Sequence, residues 1–492
     1  MAAELHFIMR RPVIWRALVC CIIHAAMLAA RGHGEVVVYP VPSGIAPSLD
    51  YELRADGKSV FVHACPAFSF ASFSLEGKAQ MVVHVNRPIK RAVVRPLALG
   101  ITAFVDQAGV LSFTLEHPCN IAIEVDDDLR RPLFVFANAP ETHPPSAGGR
   151  GVRYFSGGRI HDVGRLELQS NETLYLAGGA IVRGEVHAAG ASGLRFCGPG
   201  VLDATARTRQ GRLIRLDGCK DVELRDLIVL GSLGWSVDVH RCEDVLASNL
   251  KVISWRDNDD GFDPDSSRRV RVEGCFFRTK DDCIAVKAHG PRDGSAGSAS
   301  GAFNTEDITV TRSTFWSSEW GHALTVGFAV SAPAIRNVVF RDCDIIKKER
   351  GPAMSIDNHD LGRVENVRFE DIRIEEGCDR LTALKTAFSE YSADCPYEYF
   401  RNNPKRLSPE GDEWQRILQA MKLTRRGSIQ GVTFKNIQVL GDRVPESIIR
   451  GFNAESKVTG VLFQNVTLNG RELKTPGELH LHVQNAEAVK VE

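Results

Sequence analysis

The chain is predicted to be all-β, a small β-sandwich followed by a right-handed parallel β-helix. The first observation behind this is a repeat. The segments Val222–Asp226, Val245–Asn249, Val270–Gly274, Ile308–Arg312, Val338–Asp342, Val367–Asp371, Val432–Asn436 and Val461–Asn465 each open on a β-branched residue, alternate apolar and polar positions, and end on a turn residue. Six of the eight end on Asp or Asn, residues that tolerate left-handed turns and can hydrogen-bond along a stack. Their starts advance by 23, 25, 38, 30, 29, 65 and 29 residues, and strand-and-turn periods of this length mean a solenoid. The second observation is that strands are short and no amphipathic helical pattern accompanies them. This excludes a leucine-rich horseshoe, while propeller blades need longer repeats of about 40 residues. The third is that 43 glycines and 8% aromatics suit a turn-rich β protein.

In chain order, the first element is a leader. Arg10 and Arg11 precede the apolar stretch Val13–Ala30, broken by Arg16. Its longest run without a charge, Ala17–Ala30, is too short to span a bilayer and ends in small residues. Residues 1–32 therefore read as a signal peptide, with Met9 an alternative start and a retained anchor the competing reading. The mature protein is expected to be secreted or periplasmic, monomeric and without a membrane span. Export permits disulfides, and Cys65 with Cys119, or Cys378 with Cys395, are candidate bridges. The cysteines of the repeat read as buried thiols.

From Glu35 to Asn138 apolar runs recur at roughly ten-residue spacing, as in Met81–Val85, Ile101–Val105, Ile121–Val125 and Leu133–Phe136. Alternating runs divided by turn signals predict an antiparallel β-sandwich over 35–138. Ala139–Ser146, with three prolines, reads as a linker, and the β-helix is expected over 150–492. Long intervals in the repeat mark two insertions. The first is a Gly- and Ser-rich loop, Ala288–Phe303. The second covers Gly377–Gly427 and includes a helix expected over Asp412–Lys422. If either closes one end of a cleft, it decides between exo and endo action.

A net charge of −1, with 60 basic against 61 acidic side chains, gives no sign of a nucleic-acid partner. No CxxC or His-x-x-x-His spacing suggests zinc, so neither a metal nor a cofactor is expected. What does call for chemistry is a run of carboxylates on consecutive repeats, Asn258-Asp259-Asp260-Gly261-Phe262-Asp263 and then Lys280-Asp281-Asp282-Cys283. Counted from each repeat's start, Asp260, Asp281, Asp282 and His322 fall at offsets of 15, 11, 12 and 14. They are therefore expected on the same later strand of adjacent coils, about 4.8 Å apart. Crowded carboxylates raise one another's pKa, so one can stay protonated as an acid beside ionised bases, the arrangement that glycosidic hydrolysis needs. The bland alternatives are turn aspartates, a solvated corner or a calcium site. A third Asp and a His in register favour catalysis.

At these residues the chain resembles the family 28 glycoside hydrolases, the polygalacturonase family, whose fold is a pectin-lyase-like solenoid. Asn258-Asp259-Asp260 is similar to that family's Asn-Thr-Asp element, with Asp259 in the Thr position. Asp281-Asp282-Cys283-Ile284-Ala285-Val286-Lys287 resembles its Asp-Asp-Cys motif, and Gly321-His322-Ala323 its Gly-His-Gly segment. The resemblance implies an exported, inverting glycoside hydrolase acting on a polysaccharide or oligosaccharide. In it Asp281 is the general acid, Asp260 and Asp282 activate water, and His322 supports the acid pair. Asn258, Lys287, Trp320, Asp357 and Asn358 are the expected substrate contacts. One element departs from the pattern. Where the family carries the Arg-Ile-Lys that meets the sugar carboxylate, this chain reads Ala353-Met354-Ser355, which cannot make a charge-assisted pairing. The resemblance therefore does not carry galacturonate specificity across.

The plan of a β-sandwich joined to a β-helix with three catalytic aspartates is also similar to the dextranase and isopullulanase family, which makes a neutral α-glucan an alternative substrate. A non-catalytic glycan-binding β-helix would keep the repeat and the tryptophans Trp235, Trp255, Trp316 and Trp320, but it needs no aligned carboxylates. A lyase would use a Lys or Arg base, for which Lys280 and Lys287 are candidates, although the motif order favours hydrolysis.

Overall fold

The computed structural model describes residues 34–289, 304–389, 391–395 and 424–492. The leader expected over 1–32, nearly all of the Ala288–Phe303 loop and the helix expected over Asp412–Lys422 lie outside the described residues. The chain divides into two compact units. Among the described residues, one holds 34–38, Pro47–Val93 and Ile101–Pro140; the other holds Tyr39–Ala46, Val94–Gly100 and those from Glu141 on. Two short segments that the sequence reading gave to the sandwich thus belong to the second unit.

The first unit is built from two sheets. Period-2 alternation sets their inner faces: along Tyr51–Ala55 every second side chain is buried, and Leu53, Met81, Val83, Leu111 and Phe113 close the core. Pairing is mostly antiparallel, as in Tyr51–Ala55 against Ala79–Val85. Leu133–Asn138, however, runs parallel to Phe68–Glu76, so the all-antiparallel expectation fails there. More than fifty residues separate these two strands, enough for the crossover that parallel pairing requires.

The second unit is a right-handed parallel β-helix. Each early coil contributes three strands, for example Glu243–Ser248, Lys251–Ile253 and Phe262–Asp265, and each strand pairs in parallel with its counterpart one coil on. In later coils the first two strands fuse into one long bent strand, as in Ala334–Lys348 and Arg363–Ile374. The first residues of the eight repeat segments lie in one unbroken register, Val222, Val245, Val270, Ile308, Val338, Val367, Val432 and Val461. Their fifth residues, Asp226, Asn249, Gly274, Arg312, Asp342, Asp371, Asn436 and Asn465, all have positive φ. That left-handed kink turns the chain from one sheet to the next, which explains why Asp, Asn and Gly predominate there. Amides link these turns from coil to coil: Asn249 donates to Asp226, Asn436 to Asp371 and Asn465 to Asn436 at 2.7–2.8 Å. Inside the coil, like stacks on like. The rings of Phe340, Phe369, Phe434 and Phe463 lie 4.7–5.0 Å apart and within 9° of parallel.

Cys219, Cys242, Cys275, Cys283 and Cys343 are buried thiols within this stack. Cys119 and Cys378 also stand as thiols, so neither bridge that the sequence allows is formed.

Candidate active site

The site grows from one sheet of the helix, the strands Val237–His240, Phe262–Asp265, Ile284–Ala288, Leu324–Val330 and Pro352–Asn358 stacked in that order. Phe262, Ile284, Leu324 and Met354 are in register and point into the core. Two residues upstream, in the turn that feeds each strand, come Asp260, Asp282 and His322. The backbone fixes their level: Gly261 N–H donates to Asp282 O at 2.8 Å, and Cys283 N–H to His322 O at 2.9 Å. The structure therefore brings the expected residues onto adjacent coils, though on the entry turns and not on the strand itself. A turn leaves these side chains free of the strict in–out alternation of a strand, so Asp281 and Asp282 can both face the site. Close approach of the turns needs glycine. Gly321 has φ +57°, and a Cβ on it would sit 2.3 Å from Asp282 N and 2.5 Å from Asp281 Oδ1.

Each carboxylate has a distinct environment. Burial, followed by the charges of Asp260, Asp282 and Asp259, pushes Asp281 up to about 8. Asp282 Oδ1 accepts the backbone N–H of His322 at 2.6 Å and lies 3.1 Å from its Nδ1. Burial raises Asp260 and Asp282 adds to this, while Lys287 opposes it. The Lys287 ammonium lies 2.6 Å from both Asp260 and Asp263. Burial would lower Lys287, but these two carboxylates outweigh it and hold the ammonium above its ordinary range. Asp259, where the motif departs from the family pattern, is fully buried and builds the turn. One of its oxygens accepts the N–H groups of Lys280 and Asp281 at 2.8 Å each, and the other that of Arg256 at 3.0 Å. Burial pushes it up to about 6.

Asp260, Asp281 and Asp282 line a cavity of about 740 Å³ with Asn258, Trp320, Lys287 and His322. Asn258 is exposed in a left-handed turn (φ 57°) and Trp320 is 44% exposed. Two expected contacts are not brought into it. Asn358 is buried, its amide donating to Gly362 O at 2.8 Å and Ser428 O at 3.3 Å, so it builds a turn. Asp357 is buried one coil beyond His322. Burial there is outweighed by Lys385, His359 and His322, which hold its carboxyl well below the usual range. Of the tryptophans, Trp316 is core, donating its indole N–H to Glu349 at 3.0 Å. Trp235 borders the cavity with its π-system taken up by cations, Lys287 Nζ 3.4 Å and Arg212 Cζ 3.6 Å from the ring.

Three lining residues had no signal in the sequence. His289 follows Lys287 at the strand end, where buried Asp265 accepts its backbone N–H at 2.9 Å and lies 2.8 Å from its Nδ1. Phe328, next to the His322 ring, and Tyr391, next to Phe328, also line the cavity. Among the described residues, no group of three or more His, Cys, Asp or Glu side chains is arranged to hold a metal ion.

Fold and site together define a parallel β-helix with a carboxylate-lined cavity on one sheet. Residues 182–379, which enclose all four stacked site residues, match the model of the glycosyl hydrolases family 28. Over 78 residues the chain is 32% identical to a probable polygalacturonase of Vitis vinifera, covering 15% of this chain and 16% of that protein. Over 75 residues it is 36% identical to a polygalacturonase of Chamaecyparis obtusa, covering 15% of each. The chain thus spans about a sixth of the length of these curated relatives. Among solved structures, Dex49A from Penicillium minioluteum shares the fold at a TM-score of 0.57 and 11% identity, over 91% of this chain and 94% of that one. The likeness to family 28 glycoside hydrolases, carried by the three motifs, is borne out, and so is the fold.

Proposed function

We propose that the protein is a glycoside hydrolase that cleaves a polysaccharide, or an oligosaccharide derived from one, with inversion. Water attacks the anomeric carbon as the bond to the leaving oxygen breaks. Asp281 supplies the proton to that oxygen, and Asp260 and Asp282 take one from the water. The observation that carries this is Asp281 itself: pushed up to about 8 by burial and its acidic neighbours, it holds a proton at neutral pH. Lys287, 2.6 Å from Asp260, favours the ionised form that a base requires. His322, 3.1 Å from Asp282, steadies the pair. The family 28 match over 182–379 supports the same chemistry, and the leader expected over 1–32 would put it outside the cytoplasm.

Reducing ends released from a panel of pectic and neutral glycans, with the anomer of the first product read by NMR, test the proposal. The parent enzyme should give the inverted anomer without ultraviolet-absorbing products, and Asp281→Asn should give no reducing ends. Unsaturated products would mark a lyase, and full activity of Asp281→Asn would remove the assignment.

A further inference from the structure

We propose that the side of the cavity formed by Phe328 and Tyr391 is a subsite for an uncharged pyranose, held by its apolar face. The inference rests on the reading of the cavity as a glycan-cleaving site and names the class of sugar it takes.

Two independent sets of observations converge on it. The first is aromatic. Phe328 lies 5.7 Å from the His322 ring, at an interplanar angle of 25°, and meets His359 edge-on at 4.8 Å. The phenyl group is thereby wedged between two imidazoles. Tyr391, 59% exposed, stands 5.8 Å from it. Both line the cavity, as does the 44% exposed Trp320. Apolar surface left open inside a polar cavity is best covered by a ligand with an apolar face of its own. The C–H face of a pyranose ring has that property and stacks on aromatic rings.

The second set is electrostatic. Asp257, Asp260 and Asp282 line the cavity beside Asp281, which holds its proton and is not counted among the charges. Lys287, also on the lining, is committed to Asp260 and Asp263 at 2.6 Å each. The imidazoles have carboxylates too, His289 with Asp265 at 2.8 Å and His322 with Asp282 at 3.1 Å. On the next coil Ala353, Met354 and Ser355 are fully buried, and the Ser355 hydroxyl is bonded to that of Thr325 at 3.0 Å. One coil further, Lys385 lies 3.6 Å from Asp357. A uronate carboxylate would meet these carboxylates while the lining cations Lys287, His289 and His322 are already paired with carboxylates of the protein, an arrangement that disfavours such a ligand. A neutral ring meets neither obstacle.

The test uses the full chain carrying Asp281→Asn, so that nothing turns over. Its binding is measured by calorimetry to galacturonate oligosaccharides, to the same oligosaccharides after carboxyl reduction, and to α-1,6-linked gluco-oligosaccharides. A neutral probe should bind at least about tenfold more tightly than the galacturonate oligomer. Adding Tyr391→Ala or Phe328→Ala should weaken it about tenfold, with Tyr391→Phe restoring it. Should Phe328→Ala fail to fold, the exposed Tyr391 keeps the test intact. Tightest binding to the galacturonate oligomer, no binding to any neutral probe, or neutral binding untouched by Tyr391→Ala each overturns the proposal. Wild-type turnover separates this from the hydrolase reading. Asp281-dependent cleavage of galacturonan leaves the hydrolase standing without the neutral subsite. A bound neutral glycan that the wild type never cleaves does the reverse.

Discussion

The coils that carry the site and the coils that follow them are built by the same rule with opposite energetic results. In the later coils, stacking places phenyl on phenyl, 4.7–5.0 Å apart along Phe340, Phe369, Phe434 and Phe463, and amide on amide or carboxylate, as in Asn465 to Asn436 to Asp371. Each repetition there is favourable. In the coils from Asp260 to His322 the same stacking sets carboxylate above carboxylate in a desolvated turn. Burial and the neighbouring carboxylates drive Asp281 up to about 8, and burial alone drives Asp259 up to about 6. A repeat protein stabilises itself by stacking like on like unless the group is charged. Stacked carboxylates therefore mark a place where the repeat carries an energetic cost that its other coils do not.

Substitutions can break this contrast from either side. The largest effect is expected for Asp281→Asn, which should lower kcat by about 100-fold or more. It should leave the melting temperature unchanged or higher, because it removes a crowded buried carboxyl. Next, Phe369→Ala in the phenyl ladder should cost about 3–5 kcal/mol of stability, read by denaturant unfolding, while the folded fraction keeps its kcat. The smallest effect should come from Asp259→Ala, which orphans the N–H groups of Lys280, Asp281 and Arg256. Loss of about 1–3 kcal/mol and a fall in kcat are both expected. Asp259→Asn keeps an acceptor oxygen and should be milder. If Asp259→Ala left kcat intact, the turn would not be what positions Asp281.

The coils were legible in the sequence because their determinants are local and periodic. A β-branched residue facing the core and a left-handed Asp or Asn four residues later recur whatever the loop length between them, so even the 65-residue interval between Val367 and Val432 leaves their register intact. The carboxylate cluster was legible for the same reason. Its placement was off by a few residues, since an offset along the chain does not reveal where a turn ends and a strand begins. Asn358 reads like a sugar contact in sequence, but its amide is spent on Gly362 and Ser428, the latter 70 residues away. Phe328, Tyr391 and the His289–Asp265 pair carry no periodic signal at all. They reach the cavity because a strand bulges near Val286–Ala288 or because a distant segment folds back. Trp316 looked like Trp320 in the sequence; only burial separates core from cavity wall.

Burial in the stacked turns, together with the acidic neighbours, makes one carboxyl, Asp281, hold its proton at neutral pH. Relative to the ordinary aspartate value of 3.8, the fold keeps an extra proton on it up to about 8. The stability tied to this group therefore falls as pH rises through that window, and kcat should fall as pH passes about 8. Carbon-13 carboxyl NMR titration of the parent and of Asp281→Asn tests this directly. The parent should show one carboxyl resonance titrating near 8 that is missing from the Asn variant. A parent spectrum in which that resonance titrates at the ordinary aspartate value would contradict it.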